Sequence, residues 1–588
     1  MLSRVASRVL GAAGVTQASS HVQAEYAPPF HGKRRRDTSP ESVARDRTNP
    51  FWNHTTGRWL WNDEINRARR YTPFDIDGLK DLACQVCSAG RCTSMVQLGN
   101  GSKTKVFHLQ FDNGKELVAR IPTLLLGNLR LSIASEAATT EYVRFRYNEG
   151  REESWATPQI PRVLSWNPTC RNPVKWPYIL TEYIPGGDLQ SIWNSPACKT
   201  MKHTIGNLVK VEDTLLQDTF SHYGSLYFTE DVDKFDRDRP LYAEPPEDPL
   251  RIALSHKFRI GEIAHRDWWR GGYCDVPGDR GPWPDLQSVL MGTAEMQLRA
   301  LRWKKDYNPL FNKSTPDDFD FLSAPLKTTD IIASDLVPQN ETFLRPVLQH
   351  PNLSRGNIIV PHDSASISGP DIKGIVDWQG AVIAPFFVQA AEAPAFTTDG
   401  PNRMTGDWAD PLCFEEEDIR SNPQEEHERL RMNLMVSRRD TYYTLNVWAK
   451  AEARREALLC SPGLPEIAKL YRSLPRAIAD GPASLRCVLF SIKQKWDSFN
   501  PSKPCPINMP DEDQEMSEAE AKIMEGRRSQ MQDVLVGIGC SSDGWVENER
   551  YDEAKKLWEG FQKYWDRGKT AEELGPFPFH DGAYSPLL

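Results

Sequence analysis

The residues best suited to chemistry lie late in the chain, in LQHPNLSRGNIIV (348–360) and GIVDWQG (374–380). There, His350-x-Asn352-x-x-x-x-Asn357 is followed, across a turn through SISGPD, by Asp377. Asn357 offers an amide oxygen and Asp377 a carboxylate, a hard oxygen pair suited to magnesium bridged to phosphates. Asn352 stands where a group that handles an acceptor hydroxyl belongs. With His350 beside it, it forms the candidate catalytic pair. Phosphoryl transfer from a nucleotide also needs a backbone-lined loop over the phosphates, a cation on them and a carboxylate orienting that cation. The chain supplies these in order. Gly99-Asn100-Gly101-Ser102-Lys103-Thr104-Lys105 forms a turn between strand-like segments, where small residues let main-chain N–H groups approach phosphate oxygens. Arg120 lies near the end of the strand segment ELVARIP, and Glu136 falls at the start of the next helical segment, placed to pair with it. ATP and Mg2+ are the cofactors this set implies. A two-glycine turn or a strand arginine alone says little; loop, hairpin and Asp377 together carry the reading.

The elements that must position these groups are legible around them. MVQLGNG, KVFHLQF with its period-two alternation, the turn Asp112-Asn113-Gly114 and ELVARI read as strands, the last two joined as a hairpin. SEAATTEYVRFRYNEG reads as a helix capped by Ser135 and ending at Gly150, followed by the strands PRVLSW and YILTEYI. NIIV and KGIVDW form a second hairpin, with Asp377 on its second strand. Beyond about residue 425 the pattern is helical, clearest in NERYDEAKKLWEGFQKYW, with the acidic loop MPDEDQE between helices. His265-Arg266-Asp267 reads as a decoy: Gly272 stands where the loop pattern needs an Asn, and no strand ending in Asp follows.

A chain of 588 residues, 39% hydrophobic, has ample material for a core. The formal net charge of -9 argues against non-specific nucleic-acid binding and mildly favours a cationic substrate. The 11 cysteines follow no regular framework and no secretory signal precedes them, so reduced thiols are expected. Cys84-x-x-Cys87 followed by Cys92 comes nearest to a metal motif but lacks a spaced fourth ligand. Residues 1–24 contain no Asp or Glu, carry Arg4 and Arg8, and line Leu2, Val5, Ala6, Val9 and Ala13 along one helical stripe, as a mitochondrial presequence does. Residues 25–50, with Lys33-Arg34-Arg35-Arg36, read as a disordered linker. No apolar run approaches the ~18 to 20 residues that span a bilayer.

Several segments carry a specific resemblance: TTGRWLWNDE, TKVFHLQFDNGKELVARIPT, SEAATTEYVR, ILTEYIPGGDL, FSHYGSLYF, RGPW, HPNLSRGNIIV and GIVDWQGAVIAPFF. From about residue 51 to 400 they resemble the fungal aminoglycoside phosphotransferase-like family that includes altered inheritance of mitochondria protein nine. The resemblance implies an α+β, protein-kinase-like bilobal fold with a small antiparallel-sheet N-lobe (51–185) and a large helical C-lobe (186–424). A C-terminal helical extension of the C-lobe (425–588) would complete it. It also implies a mitochondrial location, in the matrix, a nucleotide and a small-molecule acceptor as partners, and a strand arginine in the role of Arg120. Glu182 and Tyr183, at the hinge, join Gly99, Gly101, Lys105, Arg120 and Glu136 as nucleotide-binding candidates. Two departures stand out. Asn352 replaces an aspartate, and an amide has no basic site near neutral pH. Ser102-Lys103 replaces a second glycine and an aromatic in the phosphate loop. Either a slow kinase or a pseudokinase acting as a nucleotide-binding or interaction protein fits these departures.

Overall fold

Phe107, Leu109 and Phe111 alternate with Val106, His108 and Gln110, and such a strand covers one set while presenting the other. The computed structural model describes residues 49–100, 103–148, 158–193, 201–269, 273–307, 316–362, 368–390, 420, 424, 427–459, 463–480, 482–499, 502–508, 530–567 and 577–580. In it the strand is the second of a five-stranded antiparallel sheet ordered β2-β3-β4-β6-β5. A short strand β1 (Gly57–Trp59) and helices α1 (Asp63–Arg70) and α2 (Ile76–Cys87) precede the sheet. The sheet strands are β2 (Cys92–Asn100), β3 (Thr104–Phe111), β4 (Glu116–Pro122), β5 (Val163–Asn167) and β6 (Tyr178–Glu182). Gly114, at φ +75, closes the expected tight turn between β3 and β4. Asp75 caps α2 by accepting from the Gly78 N–H, and Leu79, Ala83 and Cys87 of that helix pack on Phe107, Leu109 and Leu180.

The other face of the sheet looks onto α3 (Leu129–Asn148). This helix starts upstream of Ser135, the residue expected to cap it. Asn128 caps it instead, its Oδ1 accepting from the Leu131 N–H at 3.2 Å. Leu129, Leu131, Ile133 and Ala134 are all buried, so the apolar face extends upstream and Ser135 becomes a buried interior residue.

Two short strands join the halves. β7 (Gly187–Asp188) pairs with β11 (Ile358–Val360), which pairs with β12 (Gly374–Ile375). At the crossing a Cβ on Gly186 would stand 2.5 Å from the Val360 carbonyl oxygen, so the close approach requires glycine. In the larger half, α4 (Lys202–Leu215) packs on α7 (His427–Lys450). β8 (Ser225–Phe228), paired antiparallel with β9 (Phe258–Gly261), lies against α3, and α5 (Leu286–Tyr307) packs on α6 (Pro316–Ile332). The antiparallel pair of β10 (Pro346–Leu348) and β13 (Ile383–Pro385) brackets the candidate catalytic segment. Helices α8 (Glu452–Leu459), α9 (Leu464–Ser473) and α10 (Pro482–Gln494) contribute to the same large core.

The C-terminal segment behaves differently from α7–α10. β14 (Trp545–Glu547) pairs antiparallel with β1, and α11 (Tyr551–Arg567) joins a separate apolar cluster with Leu60 and Trp61. Asp543 fastens the junction by accepting from Trp59 Nε1 and Arg70 Nη2, each at 2.9 Å, and the Arg70 guanidinium stacks 4.3 Å from the Trp59 ring. Burial pushes Arg70 down to about 10, with Asp543 opposing the shift. The helical extension foreseen for 425–588 thus divides between two partners. The presequence, the basic run, Gly101, Gly150 and the acidic loop lie outside the described residues. Among the described residues no helix is long and apolar enough to cross a membrane.

Candidate active site

The candidate catalytic segment holds its shape with its own polar groups. His350 is buried; its Nδ1 accepts from the Asn352 N–H at 3.2 Å and its Nε2–H donates to the Val376 carbonyl at 3.1 Å. Both bonds together require the neutral imidazole, and burial pushes its pKa down to about 4. His350 is therefore a positioning residue, tying the segment to the backbone just before Asp377. Asn357 donates from Nδ2 to the Asn352 carbonyl at 2.9 Å, so what it offers a cation is its side-chain oxygen. Its own backbone carbonyl accepts from the Val376 N–H at 3.0 Å, which sets Asn357 beside Asp377 across the hairpin.

Asp377 lies just past β12 rather than within a strand, at φ +72. A left-handed conformation at a non-glycine residue costs about 1 to 3 kcal/mol and persists only where its surroundings over-determine it. Here the Val376 bond holds one side. On the other, Trp378 is buried with its ring 4.4 Å from that of His350, and its carbonyl accepts from the Ala381 N–H.

Arg120 completes the cluster. Its Nε lies 2.7 Å from Glu136 Oε1, and its Nη2 is paired with Asp377 Oδ1. Glu136 Oε2 accepts from Gln379 Nε2 at 3.1 Å, and the same amide nitrogen lies 2.9 Å from Thr104 Oγ1. Burial pushes Glu136 up, opposed chiefly by the Arg120 guanidinium. Although burial works against its charge, Arg120 is held above its ordinary value by Glu136 and Asp377. The side chains of Arg120 and Glu136 are 12% and 4% exposed against 30% for Asp377, so the cluster is closed on one side and open at its acid.

The other foreseen residues divide. Tyr183 stacks on His108 with centroids 4.2 Å apart, on the sheet face that carries Arg120, while the Glu182 carboxylate accepts from the Arg162 N–H at 3.2 Å. At Gly99 an added Cβ would meet nothing within 4 Å, so packing does not call for glycine there. Lys105 pairs across the sheet with Ile121, whereas Val106 pairs with Arg120, which sends Lys105 to the opposite face. There its Nζ donates to the Asn53 carbonyl at 2.7 Å, and burial, followed by the charge of Arg70, pushes it down to about 8. Lys103 is the phosphate-loop cation near the cluster. Its carbonyl is pinned by the Thr123 N–H at 2.8 Å, and its ammonium is pushed down by burial and then Arg266, against the pull of Asp377 and Asp267.

No family model matches the chain. Curated relatives do. Altered inheritance of mitochondria protein 9 of Yarrowia lipolytica is 26% identical over 508 residues, covering 82% of each chain. Its namesake from Clavispora lusitaniae is 24% identical over 570 residues, covering 86% of this chain and 88% of its own. The chain is a homologue of these fungal proteins. A subtelomeric hrmA-associated cluster protein of Aspergillus fumigatus is also 24% identical, over 79% of this chain and 91% of its own. Among solved structures, Plasmodium vivax ethanolamine kinase aligns at TM-score 0.30 and 12% identity, covering 67% of this chain and 77% of that one. Macrolide 2'-phosphotransferase from Brachybacterium faecium aligns at TM-score 0.28 and 13% identity, covering 73% and 99%. The architecture described above is α+β and protein-kinase-like: an antiparallel sheet, a helix whose glutamate pairs with a strand arginine, a strand join, and a late hairpin leading into an aspartate.

His265-Arg266-Asp267 forms no second catalytic loop; it is a short 3-10 turn after β9. Yet it borders the loop that follows Asp377. Ser225 Oγ accepts from the Ala264 N–H and donates to the Ala381 carbonyl, each at 3.0 Å, and a Cβ on Gly380 would stand 3.7 Å from the His265 ring. Sequence reasoning passed over Gln379 and gave Thr104 only a place in the phosphate loop, not a partner. The available signal was a lone amide, Gln379, set between apolar GIVDW and AVIAPFF two residues past a foreseen metal ligand.

Proposed function

We propose that the chain is an ATP- and magnesium-dependent phosphotransferase acting on a hydroxyl of a small molecule. The observation that carries this is the convergence of Asn357 and Asp377 on one hairpin, with Asp377 paired to an arginine that Glu136 anchors. The donors fit the metal: two hard oxygens from protein, one of them on a strained residue at the solvent edge, leave the remaining positions to phosphate and water. Bound magnesium and ATP would supply, respectively, charge neutralisation across the phosphates and the phosphoryl group. Arg120, held by Glu136, places a fixed cation against phosphate oxygens, and Lys103 adds a second from the loop. Asn352, exposed at the segment's tip, orients an acceptor hydroxyl by hydrogen bonding. His350 keeps that tip in register with Asp377 without exchanging a proton at neutral pH.

Asn352 favours a second reading, a pseudokinase that binds nucleotide without turning it over, since general-base assistance is typically worth about 10²- to 10⁴-fold. Phosphoryl transfer leans on positioning and charge, so the missing base slows the reaction rather than forbidding it. We place the protein in the mitochondrion, in the matrix. The names of its relatives and the acid-free, arginine-bearing residues 1–24 support this.

The test is magnesium-dependent ATP consumption with a panel of hydroxylated and amino-bearing acceptors. Wild-type turnover that Asp377→Ala abolishes and Asn352→Asp accelerates supports the enzyme. Turnover seen only in Asn352→Asp supports the pseudokinase. Absence of any melting-temperature shift with ATP or ADP and magnesium sinks both.

A further inference from the structure

Building on the nucleotide-site reading above, we propose that Gln379 is a positioning residue that locks the base of the phosphate loop to the metal loop, and so sets the affinity for a magnesium-bound nucleoside polyphosphate. Its amide joins three elements. From the metal loop, two residues past Asp377, it donates to Glu136 Oε2 on α3 at 3.1 Å and shares hydrogen bonds with the Thr104 hydroxyl at the start of β3. Thr104 is buried and follows the phosphate loop directly. Gly380, at φ +79, turns the chain immediately after it.

This bridge matters because of a competition built into the cluster. Arg120 pairs with both Glu136 and Asp377. A cation on Asp377 and a phosphate on Arg120 each displace the link between those two residues, and Arg120 then keeps its place only through Glu136. Glu136 has two carboxylate oxygens; Arg120 holds one and Gln379 the other. One guanidinium against two carboxylates leaves a single negative charge, which a divalent ion would reverse. A neutral amide steadies Glu136 without adding to that charge.

The experiment measures Mg-ADP affinity of the full chain by calorimetry at pH 7.5. Gln379→Leu and Thr104→Val should each weaken binding about tenfold, the scale of one hydrogen bond left unmade. The double variant should lose no more than Gln379→Leu alone, because both substitutions cut the same bridge, whereas two unrelated structural losses would add. Additive losses, or a folded Gln379→Leu or Thr104→Val that binds as wild type does, overturn the proposal, and Thr104→Val keeps the test open even if Gln379→Leu fails to fold. Wild type that binds no Mg-ADP sinks the nucleotide reading and this inference together, whereas tight wild-type binding with unaltered variants sinks this inference alone.

Discussion

Two arginines, Arg120 and Arg454, each sit against a buried glutamate, and only one of them is built to let go. Arg454, on α8, lies 3.3 Å from Glu212 Oε2 of α4 and 2.8 Å from the hydroxyl of Tyr443 on α7, and that hydroxyl donates to Glu212 at 2.8 Å. Both charged side chains are almost wholly covered, at 3% and 2% exposure, and Arg454 Nε also donates to the Ala390 carbonyl, so the triad is a covered brace between three helices. Arg120 has the same kind of anchor in Glu136, but its second acid, Asp377, is 30% exposed and held in a strained backbone conformation. A ligand can compete for that acid, and nothing can reach the Arg454 brace. The difference teaches that burial of an ion pair alone does not mark function. What marks it is an acid at the open edge whose pairing a ligand can replace.

The comparison can be broken by experiment. Glu212→Ala strands a buried guanidinium and should cost about 3 to 5 kcal/mol of stability in denaturant unfolding, with Mg-ADP affinity of the folded protein unchanged. Arg120→Met should do the reverse: a loss of nucleotide affinity or turnover of about 10²- to 10³-fold, as for removal of one preorganised charge partner, with a smaller loss of stability. If Arg120→Met destabilises the fold as much as Glu212→Ala and leaves binding intact, the two arginines are alike. Lys105→Met sharpens the contrast by the smallest effect. Lys105 titrates near 8 in the folded chain against 10.5 for the free side chain, so the unfolded chain binds more protons between those values. Wild-type stability therefore rises as pH rises from about 8 to 10.5, and the variant should lack that rise in chemical unfolding.

Much of this was legible because it is local. A tight turn at Asp112-Asn113-Gly114, period-two alternation in β3 and the loop-to-aspartate spacing all lie within a few dozen residues, and each follows from backbone periodicity or turn chemistry. The facing of Lys105 was misjudged: foreseen as a nucleotide-binding residue, it points to the opposite face, because Val106 rather than Lys105 falls opposite Arg120 in the hairpin register. The start of α3 was misjudged because Ser135 has the chemistry of a cap, yet the apolar run upstream, covered by tertiary packing, outweighs it.

What the amino-acid sequence determined by itself was the five strands of the main sheet, the β11–β12 hairpin and the ordering of Asn352, Asn357 and Asp377, because neighbours along the chain settle those. Only the tertiary structure decided that Gln379 would meet Glu136 and Thr104, residues 243 and 275 positions away. The same holds for Asp543 closing over Arg70 and so placing the C-terminal strand on β1. Contacts across such separations depend on which surfaces remain to be covered once the local elements have formed, and no local pattern encodes that remainder.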